Sequence, residues 1–453
     1  MKKTDVLVIG GSAAGLVTAL TGKSYYPEKD FLVIRKEDVV VVPCGIPYIF
    51  GSLESSSQNV IPDAGLEKAG VDLVVGEVLE IDPEAKTASL ADGDIVSFDK
   101  LVLAIGSSPV KPSWLKGKDL ENVFTIPKDK AYLDVLTEKL QDKEEVVVIG
   151  GGFIGVEISD ELNKQGKDVT VVEILPHILG AVFDEELAAK AESILVERGV
   201  KVESGAGVKE LCGNGVVKSV KLNGGKELIA DAVILSMGYR PNIDLAEKAG
   251  IETNELGFIK VDQYLRTSSP DIFAVGDCSE KRDFITNRPI GAMLASTACA
   301  EARMTGMNLF GLETVRTFTG TISNFATALG DHSFGVAGIT EDTARAEGFD
   351  IITTSFEGVD HHPGKLPGTH KQTVKLVVAK ESGLILGGSV FGSHSAGEIV
   401  NVIGLAIQNH MTVSSLLTMQ IGTHPLLTAP PTAYPLIKAA EMALKTMRKK
   451  AKV

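Results

Sequence analysis

A strand, a glycine turn, a helix and a second strand follow one another twice in this chain, and no other feature limits its fold as much. Residues 5–9 are a short apolar run that stops at Gly10-Gly11-Ser12-Ala13-Ala14-Gly15; residues 16–23 read as a helix and residues 31–34 as the next apolar run. Residues 145–149 run into Gly150-Gly151-Gly152-Phe153-Ile154-Gly155. Residues 156–165 then read as a helix closed by Gly166, and residues 168–172 as a strand ending on Glu173. Unbroken apolar strands of this kind are buried on both faces, which means a parallel sheet between helices. The expected fold is therefore α/β, with two Rossmann-like dinucleotide-binding units.

A pyrophosphate needs backbone N–H groups at a helix N-terminus and a turn with no side chain in the way. Gly150, Gly152 and Gly155 give the full GxGxxG spacing, with Phe153 and Ile154 between them. Glu173 ends the second strand, where a carboxylate accepts bonds from an adenosine ribose and repels a 2′-phosphate. This favours NADH over NADPH. The first turn is less regular: Ser12 replaces the second glycine, and Arg35-Lys36 stand where an acid would end the second strand, with Glu37 and Asp38 just beyond. Three other apolar runs also break at glycine: residues 101–105 before Gly106, residues 232–237 before Gly238, and residues 272–275 before Gly276-Asp277. In flavoproteins with two dinucleotide sites, an aspartate placed like Asp277 holds the flavin's ribityl and phosphate region.

Composition removes several classes. The net charge is −14, a poor match to nucleic acid or an anionic membrane. No apolar run approaches the about 20 residues of a membrane span. Strand-like sequence starts almost at Met1, so no signal peptide is expected. The four cysteines (Cys44, Cys212, Cys278, Cys299) are scattered. They make neither a disulfide framework nor a zinc site and fit a reducing, cytoplasmic location. Asp360-His361-His362 and His370 lack a metal-site spacing, and no metal is expected. After about residue 320 no glycine fingerprint appears. Strand-like residues 372–379 and 384–391 precede helical residues 395–409, and the chain ends on a basic run, Lys445, Arg448, Lys449, Lys450 and Lys452.

Cys44 lies in Val42-Pro43-Cys44-Gly45-Ile46-Pro47-Tyr48-Ile49. The prolines and glycine predict a turn into a short helix with Cys44 near its start, where the helix end is expected to lower a thiol's pKa. Tyr48 and Ile49 stand where a two-cysteine redox site would have its second cysteine. Cys44 is left to form a mixed disulfide with an outside thiol, a persulfide or a sulfenic acid. Cys212, Cys278 and Cys299 are expected to be structural or incidental.

Taken together, these residues resemble the pyridine nucleotide-disulfide oxidoreductase family over the whole chain, and most of all its single-cysteine branch. That branch holds coenzyme A disulfide reductases, NAD(P)H-dependent persulfide or polysulfide reductases, and NADH oxidases. Pro43-Cys44-Gly45-Ile46-Pro47-Tyr48 is close to the branch signature. Residues 103–109 resemble its ATGSxP segment with Ile105 replacing threonine, and Gly238-Tyr239-Arg240-Pro241-Asn242 matches its GxRPN segment. Thr423-His424-Pro425 ahead of Ala429-Pro430-Pro431 departs from the branch. It is similar instead to two-cysteine dihydrolipoamide dehydrogenases, in which that histidine is the acid/base from the other subunit.

The resemblance implies an FAD-binding domain in two parts, 1–112 and 245–322, around an NADH-binding domain, 113–244. An α+β dimerisation domain, 323–453, would form a homodimer whose active sites are completed across the interface. It implies FAD held by Gly10, Ser12, Ala13, Ala14, Gly15, Arg35, Lys36, Ala104, Gly106, Gly276 and Asp277. NADH would be held by Gly150, Gly152, Phe153, Ile154, Gly155, Glu173 and Gly238. Cys44 would be the redox residue, with His424 or Tyr434 as proton donor, and a disulfide, persulfide or polysulfide of the coenzyme A class as substrate. Two alternatives stay open: an NADH oxidase using a Cys44 sulfenic acid, and a flavin redox sensor with slow turnover.

Overall fold

The computed structural model describes residues 2–315 and 320–450, except the side chains at 449 and 450. Of the terminal basic run, Lys445 pairs with Glu441; the side chains of Lys449 and Lys450, and all of Lys452, lie outside the described residues.

The first repeat folds as β1 (Lys2–Ile9), α1 (Ala13–Tyr25) and β2 (Phe31–Arg35). β1 lies between β2 and β3 (Ile95–Leu103), parallel to both, with Leu7 level with Leu32 and Leu101. Val6, Leu7 and Val8 are fully buried, as an unbroken apolar run in a parallel sheet must be. β3 serves two sheets in one. Its first half pairs antiparallel with Thr87–Leu90, and its last residues pair in parallel with a strand 170 residues on, Ile272–Ala274.

Between these pieces the chain runs out into a second sheet. A short strand, β4 (Ser107–Pro109), leads away, and the second repeat follows as β5 (Glu145–Ile149), α2 (Phe153–Lys164) and β6 (Asp168–Val172). β7 (Ala232–Leu235) completes the centre of this sheet, flanked by Val123–Thr125. β8 (Tyr239–Pro241) then returns antiparallel to β4. The exit and re-entry segments thus pair with each other, and they tie the two nucleotide-binding units at one place. β9 (Ile272–Ala274) closes the first sheet, and α3 (Ala295–Met307) packs on α1. An antiparallel layer over 208–229 covers the second sheet, a feature the glycine pattern did not announce.

The C-terminal part is a five-stranded antiparallel sheet covered by helices Ala396–Gln408 and Pro435–Lys450. Its edge strand, β10 (Phe325–Leu329), faces α2. One continuous apolar core contains Ile46, Ile49 and Phe50 from the cysteine segment, Val146 and Val156 from the second unit, and Leu329, Phe334 and Phe391 from the C-terminal sheet. Cys44 is therefore carried by a segment wedged where all three parts meet.

Candidate active site

Both glycine turns are built for a diphosphate. Gly10 and Gly150 have φ of 107° and 110°, a region open to glycine. A Cβ on Gly15 would collide with the Gly10 carbonyl oxygen, and one on Gly155 with that of Gly150. These are the close approaches the fingerprint requires. At the second turn a Cβ on Gly152 would meet nothing within 4 Å, so the helix N-terminus opens onto free space. Neither Ser12 nor Gly152 caps its helix through a side chain, which leaves the first-turn N–H groups to a ligand. Ser236 beneath the second turn has a buried hydroxyl without a hydrogen-bond partner. These features fit two dinucleotides.

Glu173 sits beside the second turn, 9% exposed. The Gly151 N–H donates to Oε2 at 2.6 Å and the Leu175 N–H to Oε1 at 2.7 Å. Two amides thus fix the carboxylate at the cradle's rim, and the next side chain, Ile174, is 73% exposed. Arg35 is buried differently. Its stem lies over Gly11, its guanidinium pairs with Asp63 at 2.5 and 2.8 Å, and it donates to the carbonyls of Glu37 and Asp38. Most of its donors are spent within the protein. Lys36 is exposed.

Asp277 stands at the end of β9 in a short 3-10 turn. Its Oδ2 accepts from Ser107 Oγ at 2.7 Å and from Lys128 Nζ at 2.6 Å. Burial pushes its pKa up, but Lys128, Ser107 and Lys281 outweigh burial and hold the carboxyl below its usual range. Ser107 follows Gly106, so the ends of β3 and β9 converge here. Lys128 comes from the second unit, in the loop between Val123–Thr125 and the helix Lys130–Leu140. Nothing in its sequence neighbourhood marks it, and only the fold brings it to Asp277.

Cys44 is the second residue of a 3-10 helix, Pro43–Phe50. Gly45 is required because the Asn59 side chain lies where its Cβ would be, while Asn59 Nδ2 donates to the Val42 carbonyl at 3.1 Å. At the far end, the Ser52 N–H donates to Glu161 Oε2 at 2.6 Å. The cysteine helix is thereby pinned along α2, one turn from Glu157. Cys44 is exposed, but its pKa is raised rather than lowered. Burial of its protein-facing side is the first cause and the Glu157 carboxylate the second; Asp277 and Cys299 add to the rise, and Lys128 opposes it. The expected thiolate stabilisation is corrected for a local reason. Pro43 has no N–H, and the Gly45 N–H is spent on the Val42 carbonyl, so this helix start offers little positive charge.

Four residues at Cys44 were missing from the sequence reading or given no role in it. Glu157, two positions past Gly155, faces the C-terminal sheet and accepts from Thr327 Oγ1 at 2.7 Å. Burial, reinforced by Glu161, pushes its pKa to about 7. Tyr48 is pushed up to about 12, by burial first and then Glu157, and so keeps its proton. Lys128 and Cys299 also act on the Cys44 charge. A carboxylate next to the third glycine of the fingerprint was the readable signal for Glu157; Cys299 on α3 had none. His424 and Tyr434 are not among the groups acting most strongly on Cys44 within one chain. His424 is exposed, and its Nδ1 accepts the Leu426 N–H at 3.2 Å. The proton of the neutral ring is therefore on Nε2. Tyr434 packs against its own domain's core, with its pKa raised by burial. Asp360, His361 and His370 form a hydrogen-bonded knot with Ser393.

The Glu157 shift has a stability consequence. Its folded pKa lies above the ordinary 4.5, so the folded chain binds more protons than the unfolded one between those values, and stability falls as pH rises through that window. A shift of this size corresponds to at most about 3 kcal/mol. Glu157→Gln removes the term. Relative to wild type, its melting temperature is expected to rise by a few degrees at pH 8 and to change little at pH 4. Parallel melting curves across that range would refute the assignment.

Comparison with known proteins gives a consistent result. The model of the pyridine nucleotide-disulphide oxidoreductase family matches residues 4–302, and that of the family's dimerisation domain matches residues 325–434. The NADH oxidase of Methanocaldococcus jannaschii is 30% identical, covering 98% of this chain and 99% of that protein. The CoA-dependent NAD(P)H sulfur oxidoreductase of Pyrococcus abyssi is 33% identical over 92% and 94%. The solved NAD-dependent persulfide reductase from A. fulgidus superposes with a TM-score of 0.90 at 29% identity, covering 98% of this chain and 84% of that one.

Proposed function

This chain belongs to the pyridine nucleotide-disulphide oxidoreductase family, and we propose that it reduces a disulfide, persulfide or polysulfide of a small thiol through Cys44, with NADH as donor. It is an NAD(P)H-dependent flavin oxidoreductase. The observation that carries the finer reading is Cys44 itself, a solvent-open thiol at the junction of the three parts with no second cysteine in its own segment. FAD would be held by the turn from Gly10 to Gly15, by Ala104 and Gly106, and by Asp277 with Lys128. NADH would be held by the turn from Gly150 to Gly155, by Gly238 and by Glu173. The bound flavin supplies the passage of two electrons from NADH to sulfur.

The remaining chemistry falls to the chain. The Cys44 thiolate attacks one sulfur of RSSR′, forming Cys44–S–S–R and expelling R′S⁻, which takes a proton. Two electrons and two protons then restore the Cys44 thiol and release RSH. Glu157, whose charge acts on the Cys44 thiol and whose pKa is pushed to about 7, would be the group that exchanges a proton with it. Its negative form also repels a thiolate, so protonated Glu157 and ionised Cys44 favour each other. His424 of a partner subunit, when its ring is doubly protonated, is the donor to the leaving thiolate in this reading, and Tyr434 the rival. The homodimer is supported by the dimerisation-domain match and by the exposed apolar side chains of Leu405, Leu426, Leu427 and Met442. No described helix is long and apolar enough to cross a membrane, and free thiols suit a cytoplasmic enzyme. Coenzyme A remains a candidate substrate carrier without an assigned site.

A second reading has support in the M. jannaschii relative's name: an NADH oxidase in which oxygen or peroxide meets Cys44 as sulfenic acid. One assay separates the two. Oxygen uptake and thiol or sulfide release are followed in a single NADH-reduced sample, with coenzyme A disulfide, coenzyme A persulfide and polysulfide as acceptors. Sulfur turnover is expected to exceed oxygen turnover by about tenfold or more; the reverse ratio would favour the oxidase.

A further inference from the structure

The turn that carries Asp277 is gripped from behind by two charges that water does not reach. Lys281 and Glu301 have side chains 2% and 3% exposed and lie 3.0 Å apart. Glu301, on α3, accepts the Gly276 N–H at 3.0 Å through Oε2. Lys281 Nζ donates to the Gly276 carbonyl at 2.6 Å, to the Ser279 carbonyl at 3.0 Å and to Ser279 Oγ at 2.8 Å. Ser279 Oγ in turn donates to the Gly276 carbonyl at 3.0 Å. One ion pair thus fixes the peptides on both sides of Gly276, whose φ is 77°.

Burying such a pair costs more than burying apolar groups of the same volume, so helix packing alone is a weak reason for it. An apolar pair would hold α3 against the turn. It would also leave the Gly276 N–H buried without its partner, which is expensive, and would leave the Gly276 carbonyl held by Ser279 alone. What the pair does that leucines would not is to fix the orientation of two successive peptide planes. Because the Gly276–Asp277 peptide is trans and planar, holding its carbonyl on Lys281 turns the Asp277 N–H the opposite way. The same lysine contributes to keeping Asp277 ionised.

We infer that Lys281 and Glu301 are positioning residues for the flavin, locking the Gly276–Asp277 turn that presents Asp277 to its ribityl and phosphate groups. The inference rests on the reading of Asp277 as a flavin ligand, and the test separates the two.

Full-length protein is stripped of FAD and titrated with it, flavin fluorescence reporting the dissociation constant. Far-UV circular dichroism and the melting temperature of each apoprotein are recorded alongside. Lys281→Met with Glu301→Leu removes both charges together, leaving neither ion unpaired. It is expected to fold with a melting temperature within a few degrees of wild type and to bind FAD about 30-fold or more weakly. Glu301→Gln keeps an oxygen for the Gly276 N–H and is expected to stay within about threefold of wild type. Should the double variant not fold, Ser279→Ala, which removes one brace on the Gly276 carbonyl, is expected to weaken FAD about three- to tenfold. Unchanged FAD affinity in the double variant, or in Ser279→Ala where the double does not fold, overturns the inference if Asp277→Ala weakens binding. Unchanged affinity in Asp277→Ala as well removes the flavin reading of this turn together with it.

Discussion

Cys44→Ser is expected to lower NADH-dependent turnover of disulfide and persulfide acceptors by about 10³-fold or more, while FAD content, fold and NADH affinity stay as in wild type. The argument is chemical. The step requires a nucleophile that forms a covalent bond to sulfur and releases it again by exchange. A serine hydroxyl is not ionised near neutral pH and makes no bond that a thiol could reverse. The substitution changes one atom in an exposed position, so packing is hardly disturbed. The cradles are separate from this segment: the glycine turns, Glu173 and Asp277 stand on other strands and helices. Rapid mixing of Cys44→Ser with NADH should still bleach the flavin absorbance, with no thiol released afterwards. The structure adds a control that the sequence did not offer. Among the described residues, Cys299 is the one other cysteine whose charge acts on Cys44, so it is the thiol to test for rescue of turnover. Residual activity in Cys44→Ser that disappears in Cys44→Ser/Cys299→Ser would assign it to Cys299. Residual activity at wild-type level in both would exclude Cys44 and Cys299 as the redox residue.

The two nucleotide turns were legible because their constraint is local. Gly10 and Gly15, or Gly150 and Gly155, face each other within one turn of chain, and a Cβ on Gly15 or Gly155 collides with the carbonyl of the first glycine. Sequence spacing alone records that. Glu173 and Asp277 were legible because each closes a strand whose apolar run is unmistakable. The environment of Cys44 was not legible, because none of it is local. Glu157 acts on Cys44 because the cysteine helix packs along α2, through its apolar residues and through the Ser52 N–H on Glu161. Lys128 reaches Asp277 because β4 and β8 pair and Tyr239 on β8 holds the loop after Val123–Thr125 over the first unit. Lys281 and Glu301 are ordinary charged residues in sequence, and their burial depends on α3 docking behind β9. The direction of the Cys44 shift was misread for the same reason. A helix start and the proline that empties it of a donor were both visible beside Cys44, but the burial and the Glu157 carboxylate that raise the thiol's pKa act only in three dimensions.

Glu173→Ala combined with Ile174→Arg is expected to move the ratio of kcat/KM for NADH over NADPH by about 100-fold or more toward NADPH, equivalent to about 2.7 kcal/mol of transition-state binding. Two terms add. In the wild type, the carboxylate is held at the rim of the cradle by the Gly151 and Leu175 amides, so it cannot swing away from a 2′-phosphate, and like charges repel. Removing it would end that repulsion and, in the proposed reading, the bonds to the ribose hydroxyls, so Glu173→Ala alone should raise KM for NADH with a smaller effect on kcat. Ile174 is 73% exposed, so arginine there displaces no packed side chain. Its guanidinium offers a forked donor pair to a phosphate that carries two negative charges. The gain should shrink as salt rises, because the new contact is solvent-exposed while the lost ribose bonds are not ionic on the nucleotide side. Steady-state kinetics with both nucleotides at two ionic strengths measure all three quantities. An unchanged NADH KM in Glu173→Ala would show that the ribose is bound elsewhere. A double variant that keeps its NADH preference would place the adenosine on a different side of the second strand from the one this geometry implies.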